Sequence, residues 1–367
     1  MRGLYLHIPF CQKKCGYCDF YSFCPADGQM DAYRDALCRS VNDWAGDCTE
    51  AFDTVYFGGG TPSFFGGERL AAVLRAVRAV LPLTADAQIT VECNPGSVSE
   101  RLTETLAAAG VNRVSMGVQS ALESERRLLG RASDRKQVEA AIAACRKAGI
   151  DNLSLDLMLG IPAQTTASLD ESLRFLLDTG VPHISAYLLK LEAGTPLAKE
   201  KDTLPLPDED TVCDFYLRTV KTLAQHGLPQ YEVSNFARPG FESRHNLHYW
   251  RDEEYLGLGP AAHSFFGGKR FYYPRDFAAF LRGDAPVPDG DGGDKEEFCM
   301  LRLRLTEGLS DKAFFARFGT HLPKALFARA KQLAPHGLLT VSGDTIALTP
   351  QGFLLSNRVI GELVDTL

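Results

Sequence analysis

The sequence predicts an α/β chain: a partial (β/α)6 barrel followed by a smaller α+β C-terminal region with a winged-helix-like lobe. Three observations predict it. Short apolar runs alternate with amphipathic stretches through the first half, which is the pattern of repeated βα units on a parallel sheet. Nearly every one of those runs leads into a chemically loaded residue, as expected where strand ends gather at one mouth. After about residue 190 the rhythm breaks, and the stretch from Lys295 onward reads as helices around one short hairpin.

Strands are expected near residues 3–8, 53–57, 88–93, 112–119, 152–159 and 183–189. Helices are expected near 29–45, 66–80, 99–109, 135–148 and 166–179, with Gly110, Gly149 and Gly180 closing the last three. The segment Glu192-Ala193-Gly194-Thr195-Pro196 and a Pro- and Asp-containing connector from Leu204 to Asp210 lead into a helix near 208–226. Residues 287–294, which include PDGDGGD, are rich in Gly, Asp and Pro and read as a linker. Beyond it come helices, a hairpin over 338–348 with Gly343 in its turn, and a final helix. The chain is expected to divide into a barrel at 1–200, a connecting region at 201–290 and a C-terminal domain at 291–367.

Composition narrows the function classes. With 39 Lys and Arg against 46 Asp and Glu, the formal charge is −7, so no long nucleic-acid groove is expected. The winged-helix-like lobe carries no basic recognition stripe either, and its shape alone implies no DNA binding. No apolar run is long enough to cross a bilayer, and the first loaded residues come too early for a cleavable signal. Ten cysteines, mostly unpaired by spacing, suit a reducing compartment, and a cytoplasmic protein is expected.

The chemistry concentrates in Cys11, Cys15 and Cys18, a C-x3-C-x2-C triplet directly behind the first strand. Cysteines at this spacing also share one helical face, but Pro9 and Gly16 flank the stretch badly for a helix. A structural zinc site would want a fourth Cys or His in a matching pair, and the other cysteines are scattered. Three thiolates suit three irons of a [4Fe-4S] cubane and leave the fourth iron open to a small molecule.

The remaining strand ends add polar groups. Gly58-Gly59-Gly60-Thr61 follows the second strand, where a glycine run lets backbone approach a ligand or simply makes a tight turn. Glu92 ends the third strand and suits a ribose hydroxyl or a cationic group, with a solvated loop carboxylate as the plain alternative. Gln119 ends the fourth. Arg131 would meet a carboxylate bidentately, although taken alone it reads equally as a surface ion pair. Asp156 interrupts the apolar run Leu153 to Leu159, and a buried carboxylate needs a partner or ligand. Tyr187 lies at the end of the sixth.

The triplet, with Tyr17 inserted, resembles the radical S-adenosylmethionine (SAM) superfamily, in which the open iron binds SAM and one electron cleaves it to a 5′-deoxyadenosyl radical. More specifically, YLHIPFC, YFGGGTPS, ECNP, SMGVQS, LGRASD and LDLMLGIP together resemble the oxygen-independent coproporphyrinogen oxidase group, over most of the chain. The resemblance implies that Tyr5, Gly59 and Glu92 contact cluster-bound SAM. It also implies that Tyr17, Gly60, Thr61, Gln119, Arg131 and Asp156 line the neighbouring site, which in the oxidase holds a second SAM. One departure redirects the reading: the oxidases carry another cysteine two residues beyond the triplet, where this chain has Phe20. Cys18-Asp19-Phe20 is the form of the HemW-type heme chaperones, a sister group.

A second feature points the same way. His245-Asn246-Leu247-His248-Tyr249-Trp250 resembles the HNxxYW segment that HemW-type proteins associate with heme binding. A neutral imidazole ligates heme iron, and neighbouring aromatic rings cover a flat macrocycle. His245 is the expected ligand, whereas His248 and His263 taken singly read as core histidines. The implied cofactors are the [4Fe-4S] cluster, SAM and heme, and the implied partners are a heme-accepting protein and a small electron donor. The competing reading is oxidative decarboxylation of coproporphyrinogen III.

Overall fold

The computed structural model describes residues 1–367. Six parallel strands follow the chain in spatial order: β1 (Arg2–Ile8), β2 (Phe52–Gly59), β3 (Leu83–Cys93), β4 (Arg113–Gln119), β5 (Asn152–Leu159) and β6 (His183–Leu188). Crossover helices Gln29–Asp43, Gly67–Val80, Glu100–Ala109, Arg135–Lys147 and Thr166–Asp178 link them. All six strands and five helices lie where the alternation placed them. β3 starts five residues earlier than expected, because the lead-in Leu83-Thr84-Ala85-Asp86, half-buried and then exposed, carries no strand signal of its own.

Local chemistry explains the helix boundaries. Ser99 accepts from the N–H of Leu102 at 3.2 Å, and Asp134 and Thr165 each form a reciprocal capping box. The outer strand faces (Leu4, Leu6, Val55, Phe57, Val114, Met116, Leu153 and Leu155) are buried beneath the helices, which present Leu70, Val77, Leu106, Ile142 and Leu173 to them. The inner faces are polar, so the barrel interior is chemically loaded throughout.

The middle region was expected to be a connector, yet it supplies five more strands to the same sheet. β7 (Asn235–Ala237) pairs antiparallel with β6. β8 (Tyr255–Leu258) pairs parallel with β1 on the other side, and β9 (His263–Phe266), β10 (Lys269–Tyr272) and β11 (Val287–Asp291) extend that edge antiparallel. The sheet is therefore eleven strands wide and open. The stretch 287–294 corrects the linker reading: residues 287–291 form the edge strand, held to β10 by backbone pairing while every side chain is exposed. Its Gly and Asp content reflects that exposure and not a break in the fold.

The C-terminal lobe is as read from the sequence. Helices Lys295–Arg302, Asp311–Phe318 and Lys324–Leu333 precede the hairpin β13 (Leu339–Ser342) and β14 (Thr345–Leu348), which pairs with a two-residue strand β12 (Leu309–Ser310). Short helices Pro350–Leu354 and Ser356–Val364 close the chain.

Candidate cluster and SAM site at the barrel mouth

The loop from Cys11 to Cys18 leaves β1 at its carboxyl end and is tied down from three directions. The N–H groups of Gly60 and Thr61 donate to the carbonyls of Ile8 and Phe10, both at 2.8 Å, which fixes the glycine turn against the start of the loop. Thr61 Oγ1 lies 3.4 Å from Cys11 Sγ. From the far side, Gly16 N–H donates to the Leu129 carbonyl at 3.3 Å, and the Gly16 carbonyl accepts from Leu197 N–H at 2.9 Å.

Gly59 has φ +110°, and a Cβ there would lie 2.5 Å from the His7 ring. The turn thus needs glycine both for its backbone and for its fit over His7. Burial holds the His7 imidazole neutral, with its pKa down near 4, between the Tyr5 hydroxyl at 3.0 Å and the Tyr21 carbonyl at 2.9 Å.

Two inward-facing glycines mark where the expected site residues meet. Around Gly58, a Cβ would touch Tyr5 and Tyr56 at 3.0 Å and Glu92 at 3.2 Å. Around Gly117, it would touch Arg131 at 2.9 Å and Gln119 at 3.0 Å. Glu92 accepts from the Tyr56 hydroxyl at 2.8 Å and from Gly59 N–H at 3.1 Å. Burial nonetheless pushes its pKa up to about 7, with the Asp156 charge adding to the effect. Asp156 accepts from Ser115 Oγ at 3.3 Å, and burial lifts its pKa to about 6 against the pull of Arg131.

Gln119 sits at φ +70°, an uncommon conformation for a side-chain-bearing residue, and its buried Oε1 has no hydrogen-bond partner. An orphaned acceptor held in strained backbone suits a ligand-binding role. Arg131 donates to the Tyr17 hydroxyl at 2.9 and 3.3 Å, joining the loop after β4 to the cysteine loop.

The donor set fits a cubane cluster. All three thiols are free, Cys11 is buried, and Cys15 and Cys18 are half-buried. Burial raises the Cys18 thiol, and the neighbouring Cys15 and Cys11 raise it further. No three His, Cys, Asp or Glu side chains anywhere in the chain are drawn together tightly enough for a single metal ion.

His245 lies just beneath this mouth, its ring stacked 6.2 Å from that of Tyr5. The helix Arg244–Trp250 carries it to the barrel wall, 1% exposed. Its Nδ1 pairs with Thr54 Oγ1 and its Nε2 with the Tyr249 hydroxyl, each at 2.8 Å, and its ring stacks on Tyr56 at 5.0 Å. Both ring nitrogens are thus hydrogen-bonded to hydroxyl groups. His248 is also buried, between Asp53 at 2.7 Å and Glu253, and these carboxylates outweigh burial to raise its pKa.

The sequence reading missed three interior residues. His7 and Tyr56 hold the expected ones in place. Arg113, 2% exposed, lies one inward rung below Ser115 on β4, and its Nε has no partner. Its signal was available: Arg113, Ser115, Gly117 and Gln119 share one face at period two.

Comparison with known proteins agrees with this architecture. Residues 5–176 match the family model of the radical SAM superfamily, and residues 295–355 match that of the HemN C-terminal domain. The chain is 35% identical to the heme chaperone HemW of Bacillus subtilis, across 100% of both chains. It is 34% identical to HemW of Escherichia coli over 98% of this chain and 97% of that one. Mouse radical S-adenosyl methionine domain-containing protein 1, mitochondrial, is 40% identical over 85% of this chain and 67% of its own. The coproporphyrinogen III oxidase HemN of E. coli superposes with a TM-score of 0.84 over 100% of this chain and 90% of its own, at 24% identity, and so shares the fold. Full-length similarity above 30% decides the closer relation: the chain belongs to the HemW family of the radical SAM superfamily.

Proposed function

We propose that this chain is a heme chaperone that binds heme and hands it to an acceptor protein, in a compartment reducing enough to spare its ten free cysteines, the cytoplasm. The observation that carries the reading is Phe20. Its side chain, 67% exposed on the cysteine loop, stands where coproporphyrinogen oxidases carry a further cysteine. Tyr187 and Leu188 at the end of β6 are 41% and 44% exposed, so the same end of the barrel offers apolar surface suited to a flat cargo.

Superfamily membership brings a [4Fe-4S] cluster and SAM as cofactors, which when bound supply one-electron chemistry. Cys11, Cys15 and Cys18 would hold the cluster. Tyr5, Gly59 and Glu92 would hold SAM beside it, with Tyr17, Gly60, Thr61, Gln119, Arg131 and Asp156 lining the adjoining space. Within that space Arg131 supplies a fixed cation suited to a carboxylate, Glu92 accepts from hydroxyl or ammonium donors, and His7 stays uncharged. Electrons would come from a small donor protein.

The test is an anaerobic heme titration of the cluster-reconstituted chain, followed at the Soret band. The reading expects saturable one-site binding and no conversion of coproporphyrinogen III when SAM and reductant are added. Decarboxylated product without saturable heme binding would restore the oxidase.

A further inference from the structure

A glycine near the start of β1 admits the His245 ring into the barrel. A Cβ at Gly3 would lie 3.0 Å from the imidazole and 3.1 Å from Thr54 Oγ1, so the ring occupies the space that a side chain at residue 3 would take. Above it the inner faces of β1 and β2 rise in step, Gly3 level with Thr54, Tyr5 with Tyr56 and His7 with Gly58. The imidazole stacks beneath the middle pair. Its centroid is 5.0 Å from that of Tyr56 at 23° between planes, and 6.2 Å from that of Tyr5 at 27°.

The short helix that carries His245 is held at both ends, which fixes the height of the ring. At its start Ser243 accepts from Asn246 N–H at 3.4 Å and Arg244 pairs with Asp53 at 2.9 Å, while His248 meets the other Asp53 oxygen at 2.7 Å. At its end Arg251 grips Glu307 of the C-terminal lobe through two contacts, both at 3.1 Å. Between them the Tyr249 hydroxyl meets His245 Nε2 at 2.8 Å, and the Tyr249 ring packs edge-on against Tyr255 at 4.5 Å. Burial keeps the His245 imidazole uncharged. It therefore acts on its neighbours by shape and hydrogen bonding.

Those neighbours lead to the SAM residues by short routes. The Tyr56 hydroxyl has Glu92 as its one hydrogen-bond partner, at 2.8 Å, so where the Tyr56 ring sits decides where the carboxylate is held. Tyr5 is itself one of the expected SAM contacts, and its hydroxyl meets His7 at 3.0 Å, the imidazole over which Gly59 folds. One buried ring thus supports all three of Tyr5, Gly59 and Glu92. Its own enclosure is close to complete, at 1% exposed with a hydroxyl on each nitrogen.

The inference that follows rests on the assignment of SAM to Tyr5, Gly59 and Glu92. We propose that His245 is a positioning residue of the SAM site: gripped by Thr54 and Tyr249, it fixes the Tyr56 ring and, through the Tyr56 hydroxyl, the Glu92 carboxylate. The HNLHYW segment then serves SAM binding from below. Gly3 belongs to the same device, because it makes room for the ring.

The experiment titrates SAM calorimetrically into cluster-reconstituted wild type, His245→Ala, His245→Gln, Gly3→Ala, Tyr56→Phe and the double variant His245→Ala/Tyr56→Phe, with heme titrated in parallel at the Soret band. His245→Ala and Gly3→Ala should each weaken SAM binding about tenfold. His245→Gln keeps a hydrogen-bonding group of similar reach and should recover part of the loss. The double variant should bind SAM about as well as the weaker of its two single variants, because both changes act at one hydrogen bond. Losses that add in the double variant would overturn the route through Tyr56. Wild-type SAM affinity in Gly3→Ala would overturn the proposal even if His245→Ala fails to fold. A Soret spectrum that changes in His245→Ala while SAM affinity holds would make His245 a heme ligand and overturn it as well. Absence of SAM binding in wild type would overturn the site assignment and this inference with it.

Discussion

Arg131 and Tyr17, 114 positions apart in the chain, meet in a pair of hydrogen bonds at 2.9 and 3.3 Å. The contact fastens the cysteine loop to the segment after β4. Arg131→Ala should therefore weaken SAM binding by about 1.5–3 kcal/mol, the worth of a charge-assisted hydrogen bond, whereas Tyr17→Phe should cost less because the guanidinium remains. Calorimetric titration of SAM into the reconstituted variants checks the order. Equal affinity in Arg131→Ala and wild type would contradict it.

Glu92 gives a pH signature. Its pKa rises on folding from 4.5 to about 7, so it takes up a proton on folding between those values. Its contribution favours the folded chain below about pH 4.5 and is lost as the pH climbs past about 7. Glu92→Gln should consequently melt higher than wild type at pH 8, with the gap closing toward pH 4.5. Thermal melts of the cluster-free proteins across that range measure it, and a gap that widens in acid would contradict the burial argument.

Gly59→Ala tests the glycine turn. The added Cβ meets the His7 ring at 2.5 Å in a backbone conformation of φ +110°, so both sterics and strain oppose it. A loss of about 2–4 kcal/mol is expected in denaturant unfolding, together with lost SAM binding.

Each of Cys11→Ala, Cys15→Ala and Cys18→Ala should abolish the cluster's broad visible absorption and lower bound iron. Cys24→Ala is the control. Its exposed thiol donates to the Gln12 carbonyl at 3.2 Å on the same loop, and that variant should keep both signals. Survival of the absorption in all three triplet variants would remove the cluster assignment.

The barrel was legible because its strands are apolar on the outer face and alternate with amphipathic helices, three of them opened by side-chain caps at Ser99, Asp134 and Thr165, so the elements from Arg2 to Leu188 were found even where a boundary such as the start of β3 was not. Asp156 was legible as a buried carboxylate in need of partners, and Ser115 and Arg131 supply them. The second half was harder. β9 and β10 are four residues each around Gly267-Gly268, a hairpin signature too short to stand out, and β11 exposes every side chain. His245 shows the limit of a motif: its segment is recognisable, but Thr54 and Gly3, which enclose it, lie about two hundred positions away, and only the fold brings them to its ring. His263 failed in the opposite direction, reading as a core histidine although it is exposed.

The most direct test of the account is heme transfer: load the cluster-reconstituted chain with heme, mix it anaerobically with an apo heme protein, and follow the acceptor's own Soret spectrum. The account predicts transfer faster than spontaneous release into buffer, and loss of that acceleration when the chain is left out and free heme is supplied at the same concentration. An acceptor that fills no faster from the loaded chain than from free heme would contradict the chaperone reading.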